Sequence, residues 1–452
     1  MWRFAAAALL LCALLLMASP LRAEEGAEGV QGAEPPRKTG KEVDVERTLI
    51  LLPSKLIRAP LAVLKGGLRH TLNFVEEERL ADKLDYYLRW LEEEGVYPKV
   101  FDLGDGSGVG AALEVRRSPG GPLCLGLAAG VTHKLYQGYQ AQAALPLMGG
   151  RAELTTRAGY LYRPEEEFFG LGPDTTEATQ SNYLLEDGYL EAMARAGGAG
   201  GPGGPRRLQV GAAVRFDAYK ASPGKDGGQP SVEEVFTRAE VPGLLGSVDL
   251  LSAGVAVVHD SRDWLELPTR GGRRRLAAAL FRDTSGTHFN FWRASLELEQ
   301  LLPFSTARHA FLVRAYGEMN EPLSDSDEVP FFLLAKLGGS RWLRGFHELR
   351  FYDQHALTWS LEYRYRIWGR ADAFLYVDQG EVFGRDQGFR AGDIATSGGG
   401  GIMLRAFGLA HTEDVISGGP DYIAAGERLF FMLLLGASGE GLRPFITFGA
   451  FL

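Results

Sequence analysis

Three short stretches of this 452-residue chain carry residue types that could do chemistry. "GDGSGVG" (Gly104–Gly110) has the glycine density of a loop that cradles phosphate through backbone N–H groups. Such a loop follows a buried strand and opens a helix. Here strand-like alternation continues on both sides, which predicts a tight hairpin. "HDSRD" (His259–Asp263) offers an imidazole and two carboxylates for metal or acid–base work. A metal site needs further ligands at fixed spacing, and the eight histidines form no such cluster. With "PTRGG" close behind, a strand-end turn with local ion pairs is expected. "GASGE" (Gly436–Glu440) holds a serine but not in the G-x-S-x-G order of a nucleophile elbow. No nucleophilic, metal or nucleotide site emerges, so the expectation is a protein without cofactor or enzymatic activity.

A fourth stretch raises a question of solvation. "LGGSRWLRGFHELRFYDQ" (Leu337–Gln354) carries three arginines between segments that read as strands. Two carboxylates lie downstream on strands with one apolar face. In "LTWSLEYRYRIW", Leu357, Trp359, Leu361, Tyr363, Tyr365 and Ile367 alternate with Thr358, Ser360, Glu362, Arg364 and Arg366. In "FLYVDQGEVFG", Leu375 and Val377 share a face and Asp378 takes the other. Side chains alternate along a strand, so Glu362 and Asp378 both point away from the apolar side.

The chain's start sets its compartment. "MWRFAAAALLLCALLLMASPLRAEE" has an early arginine, an apolar run and a small residue, Ala23, ahead of acidic sequence. That is the layout of a secretory signal peptide over residues 1–23. An uncleaved anchoring helix is the other reading, but the run is short and closed by Ser19, Pro20 and Arg22. Without Arg3 and Arg22, 46 basic side chains face 57 acidic ones. An acidic chain is a poor partner for nucleic acid. Cys124 then stands alone, so no internal disulfide is expected.

Residues 24–48 are rich in Glu, Gly, Pro and Lys without periodicity and read as a disordered leader. Over 49–95 the pattern becomes helical, with Leu80, Leu84, Leu88 and Leu91 on one stripe and Gly95 as a C-cap. That helix either docks on an apolar surface or plugs a lumen. From Val96 onward the period is two. Sixteen strands can be marked, from 96–103 and 106–117 through to 425–438 and 441–452. Short turns such as "SPGGP" alternate with long polar loops at 164–181, 220–247 and 321–353. The apolar faces end in Trp and Tyr, as a lipid-facing surface does, and the opposite faces carry both signs of charge. A soluble sandwich would also alternate, but its polar face would meet bulk water. The expected fold is all-β, a 16-stranded transmembrane antiparallel barrel over 96–452 with a short N-terminal helical segment.

Together the motifs resemble one family. "LRGF" (Leu343–Phe346) in a long loop, then "EYRYRIW" (Glu362–Trp368), then "FLYVDQGEVFG" (Phe374–Gly384) look like the C-terminal barrel of the bacterial surface antigen family. These are outer-membrane assembly and translocation barrels of the BamA/TamA type, in the Omp85 superfamily. "FFGLGPDT", "DSRDWLELPTRGG" and the terminal "GLRPFITFGAFL" agree. The resemblance implies a sixth extracellular loop folded into the lumen, with Arg344 paired to Asp378 and Glu362 as a second acidic neighbour. Gly345, Phe346 and Gly380 complete that motif. It also implies an assembly signal in the last strand, at Gly441, Phe445, Phe448, Phe451 and Leu452. The final strand leaves two phases open, Ile446, Phe448, Ala450 and Leu452 or the residues between them.

The resemblance implies a barrel that inserts or translocates protein, or lipid, at the bacterial outer membrane, with its N-terminal segment periplasmic. Its partners would be outer-membrane lipids, a protein or lipid cargo, and the barrel assembly machinery during its own insertion. The sequence departs from the family where POTRA domains would precede the barrel: residues 24–95 leave room for one at most, and their pattern is not that of one. The alternative is a gated or closed pore, receptor or structural barrel with no assembly role.

Overall fold

The computed structural model describes residues 90–449 apart from 102, 104–105, 119–120, 198–207, 264–267, 305–307, 369–370 and 406–429. The expected signal peptide and leader, most of the 49–95 segment, Phe451 and Leu452 lie outside the described residues. Residues 90–93 are helical, and Gly95 turns the chain out of them with φ 72°.

Sixteen strands form one antiparallel sheet, joined in chain order. The first half comprises β1 (Val96–Phe101), β2 (Gly110–Arg117), β3 (Cys124–Thr132), β4 (Gln137–Leu147), β5 (Ala152–Phe168), β6 (Ser181–Gly197), β7 (Leu208–Pro223) and β8 (Ser247–Asp260). A four-residue helix, α1 (Val232–Val235), lies in the loop between β7 and β8. Next come β9 (Gly271–Asp283), β10 (Phe291–Pro303) and β11 (His309–Pro322). Two short strands, β12 (Ala335–Leu337) and β13 (Phe351–Asp353), pair only with each other inside the following loop. The sheet resumes with β14 (His355–Trp368), β15 (Ala371–Phe383), β16 (Ala395–Arg405), β17 (Phe430–Ser438) and β18 (Gly441–Gly449).

The expected alternation sorts the residues. Leu127, Leu190, Val214, Val255, Leu276 and Leu361 stand exposed on the outer face. The inner face holds charges in pairs: Arg215 with Asp187 and Asp217, Arg157 with Glu191, Arg273 with Glu297, and Arg314 with Glu299. A barrel in lipid requires this division, because an unpaired charge has no place against hydrocarbon. At one end of the outer face, Phe304, Phe311, His309, Tyr363 and Tyr365 form an aromatic cluster. Tyr363 therefore keeps its hydroxyl 2.7 Å from His309 Nδ1 while its ring faces outward.

Two boundaries differ from the sequence reading, and the phase it left open in the last strand is decided. The first connection is not a tight hairpin: Phe101 pairs with Gly110, so eight residues separate the paired ends of β1 and β2. There Leu103 N–H donates to Ser107 Oγ, a local hydrogen bond that competes with strand pairing. β5 continues to Phe168 through a bulge between Arg163 and Glu166, which lengthens the wall beyond residue 163. In the last strand Leu442 and Ile446 are 69% and 50% exposed, so the even-numbered phase faces outward and Phe445 packs inside with Phe374, Tyr376 and Met432. "HDSRD" is a strand end, with Arg262 Nε 3.0 Å from both Asp260 oxygens.

The lumen is crowded where the long loops lie. Val232, Val241 and Leu244 from the β7–β8 loop meet Val329, Phe331 and Phe332 from the β11–β14 loop, against inward Phe168, Tyr183 and Phe291. Leu276, outward and near the middle of β9, gives a test of the outer face. Leu276→Arg should lower the stability of the barrel in lipid vesicles by about 2–4 kcal/mol, read from the denaturant midpoint of unfolding, because an arginine at mid-bilayer depth has no water to meet.

Candidate functional site

The site is built by the β11–β14 loop, residues 323–354, which turns back between the walls. β12 and β13 zip its base, Ala335 against Asp353 and Leu337 against Phe351. The residues between them carry the three arginines, and each reaches a different part of the barrel.

Arg344 is the most fully engaged. Its Nε donates to Asp378 Oδ2 at 2.9 Å and its Nη2 to Asp378 Oδ1 at 2.8 Å, a two-pronged fork. Its Nη1 donates to Glu362 Oε2 at 2.6 Å, and Nη2 also donates to Ser360 Oγ at 2.9 Å. The backbone N–H of Arg344 adds a further bond to Asp378 Oδ2 at 2.9 Å. Glu362 is shared with Arg364, 2.6 Å away. Tyr376 lies beneath: the guanidinium carbon stands 3.8 Å from its ring centroid, and its hydroxyl donates to the Arg344 carbonyl at 2.6 Å. Glu362 and Asp378 are each about 1% exposed, while their strand neighbours Leu361 and Val377 are 51% and 52% exposed. Strand parity thus delivers two carboxylates to one buried cation.

The tip needs glycine. Gly345 has φ 134°, a region closed to other residues, and a Cβ there would meet Ala437 O and Ser397 Cβ at 2.9 Å. Across from it, a Cβ on Gly436 would come within 2.6 Å of Gly345 Cα, so the loop backbone lies directly on β17. Ser438 Oγ donates to the Gly345 carbonyl at 2.8 Å. Phe346 is buried beside Phe351, their rings 5.2 Å apart edge to face. Gly380 sits opposite Thr358, whose Cβ would be 2.7 Å from an added methyl.

Sequence reasoning passed over the other two arginines. Arg341 Nη2 donates to Glu297 of β10 at 2.7 Å. Arg350 is buried: Nε donates to Glu440 Oε1 at 2.6 Å, Nη1 to Thr175 Oγ1 at 2.7 Å and Nη2 to the Thr175 carbonyl at 2.6 Å. The rings of Phe169 and Phe351 flank it at 4.9 and 4.6 Å. One guanidinium thus ties the β5–β6 loop to the β17–β18 turn. Arg443 of β18 extends the tie to Glu177, which His347 also approaches at 3.2 Å. Ser360 and Tyr376 share the parity of Glu362 and Asp378 and were legible on that ground. Ser438, Glu440 and Thr175 had no local signal.

Of the last-strand residues, Gly441 opens β18 with φ 115° and Phe445 faces inward. Phe448 pairs in register with Phe431.

This geometry, a loop arginine clasped by carboxylates on the two following strands of a sixteen-stranded sheet, lies within the region that a family comparison recognises. Residues 207–407, from the end of the β6–β7 turn to just past β16, match the Omp85 superfamily domain. The chain carries an Omp85 superfamily domain. The chain is also similar to a solved structure of BamA from Haemophilus ducreyi lacking POTRA domains 1-3, at 11% identity and a TM-score of 0.56, over 79% of this chain and 69% of that one. CdiB from Acinetobacter baumannii matches at 11% identity and a TM-score of 0.45, over 79% of this chain and 59% of that one. No curated protein matches the sequence.

Removing the Arg344 guanidinium leaves Asp378 buried without its cation and Glu362 with Arg364 alone, a loss of about 3–5 kcal/mol. Arg344→Ala should therefore lower the unfolding midpoint sharply and expose the 323–354 loop to added protease. Arg344→Lys should rescue little of this, since one ammonium cannot reproduce the fork.

His347 makes the tie pH-dependent. Burial, aided by Arg443, holds its pKa below the ordinary value in spite of Glu177. A depressed histidine binds fewer protons when docked than when released, so docking weakens as pH falls through about 6.5. Protease nicking of the loop should rise between about pH 7.5 and about pH 5.5, and His347→Gln should flatten that rise.

Proposed function

We propose that this Omp85 barrel sits in the bacterial outer membrane, its long loops outside and its N-terminal segment in the periplasm, and inserts or translocates protein or lipid there. The observation that carries this reading is the seam. Among the described residues the hydrogen-bonded order runs from β1 to β18 with no ladder leading from β18 back to β1.

An unpaired strand edge is a template for another strand. Edge addition at β1 or β18 gives a substrate strand backbone partners before it leaves water. The 323–354 loop holds the rest of the wall while the seam opens. It is anchored to β14 and β15 through Arg344 and to the β17–β18 turn through Arg350 and Ser438. Gly441, Phe445 and Phe448 of β18 are read as part of the signal by which the chain itself is assembled, together with Phe451 and Leu452.

A gated pore is the competing reading, and the apolar cluster between the long loops weighs against free conduction. Depleting the protein should lower the abundance of a subset of outer-membrane or secreted proteins, measured across the envelope proteome. An unchanged proteome, together with steady conductance of the purified barrel in a planar bilayer, would sink the assembly reading in favour of the pore.

A further inference from the structure

A recess of about 330 Å³ opens on the outward face of the barrel at the loop end, lined among others by Lys134, Leu135, Tyr160, Tyr162, Glu165 and Lys225. Its position follows from register. Tyr160 lies opposite Tyr139 and both are exposed, while Leu161 between the two tyrosines of β5 is fully buried on the other face. The recess therefore faces whatever surrounds the barrel and not the lumen. Nothing in the loop arrangement around Arg344 uses it.

Its cations are held in place. Lys134 Nζ donates to the Gly106 carbonyl at 2.8 Å. Lys225 Nζ donates to Tyr162 Oη at 2.5 Å and lies 5.0 Å from that ring's centroid. An ammonium has three donors, so each keeps hydrogens to offer a ligand. The chain carrying Lys225 is fixed as well. Its N–H donates to the Pro164 carbonyl at 3.1 Å, and the next residue's N–H donates to Asn182 Oδ1 at 3.2 Å. Buried Asn182 also donates to the carbonyls of Gln229 and Pro230, at 3.1 Å each. Each ammonium group at the recess is thus held by its own hydrogen bond to the protein.

The remaining lining is mixed. Leu135 takes a left-handed backbone, φ 64°, unusual for a residue other than glycine, and its side chain is 63% exposed. Tyr160 and Tyr162 supply ring faces. Glu165, in the β5 bulge, is an acceptor suited to hydroxyl groups. Ammonium groups above aromatic and aliphatic surface at the rim of a membrane barrel match an amphiphile with an anionic head.

We infer that this recess binds the phosphate-bearing, hydroxyl-rich headgroup of a lipid in the outer leaflet, the phosphate between Lys134 and Lys225. The inference rests on the membrane orientation proposed above but not on any cargo. It is tested with the folded barrel in phosphatidylcholine nanodiscs doped with a phosphorylated glucosamine lipid, counting retained lipid by native mass spectrometry. The wild type should retain this lipid in preference to its dephosphorylated form. Lys134→Gln with Lys225→Gln should lower retention about thirtyfold, while Lys220→Gln, outside the recess, should not. Both variants must keep the faster migration of the unboiled barrel on a denaturing gel. Equal retention by wild type and the double variant would overturn the site. So would full displacement by millimolar inorganic phosphate, which would make it a site for soluble anions. A barrel that fails to enter nanodiscs would overturn the membrane reading along with the site, whereas entry without selectivity would overturn the site alone.

Discussion

The arrangement depends on one buried cation and its two carboxylates. A guanidinium taken out of water is costly unless its donors are met, and Arg344 meets them with Asp378, Glu362 and Ser360. The condition is strict in both directions. Without the arginine, Asp378 would be buried with no cation and Glu362 would keep Arg364 alone. Without the acids, the loop tip could not lie at the wall. Gly345 and Gly436 are the steric counterpart, because the fork closes only if the two backbones touch.

From that point the rest of the loop is constrained. Once the tip is fixed between β14 and β17, Arg341 falls against β10 and Arg350 against the β5–β6 loop and the β17–β18 turn. The same loop approaches the start of the sheet, where a Cβ on Gly106 would be 3.7 Å from Glu348 Oε2 and 3.8 Å from Leu349 Cδ1. A single connection thus bears on both ends of a sheet whose first and last strands share no ladder among the described residues. Side-chain ties at the loop end stand where backbone pairing is lacking. Such ties can be undone one ion pair at a time, whereas a strand ladder must part along its length.

The division of labour between faces has the same origin. Charged side chains inside the barrel neutralise one another across neighbouring strands, as Arg215 does with Asp187 and Asp217. The outer face carries leucine and valine in the middle and aromatic or basic groups toward the rims. At the loop end, Tyr139, Tyr160, Lys134 and Lys225 place aromatic and basic groups together on that rim.

The sequence by itself determined the strand number, the inward parity of Glu362 and Asp378, and the lipid-facing phase of most strands. Each of these follows from alternation with period two, a property of adjacent residues. It also made Ser360 and Tyr376 readable as members of the same inward face. Three things required the tertiary structure. The phase of β18 was open because both of its faces carry phenylalanine, and only packing of Phe445 on Tyr376 and Met432 decides it. The eight-residue first connection depended on a side-chain bond, Leu103 to Ser107, that competes with strand pairing. The partners of Arg350 were invisible because Thr175 and Glu440 lie 175 and 90 residues away along the chain. Local spacing says which way a side chain points; only the assembled wall says what it meets there.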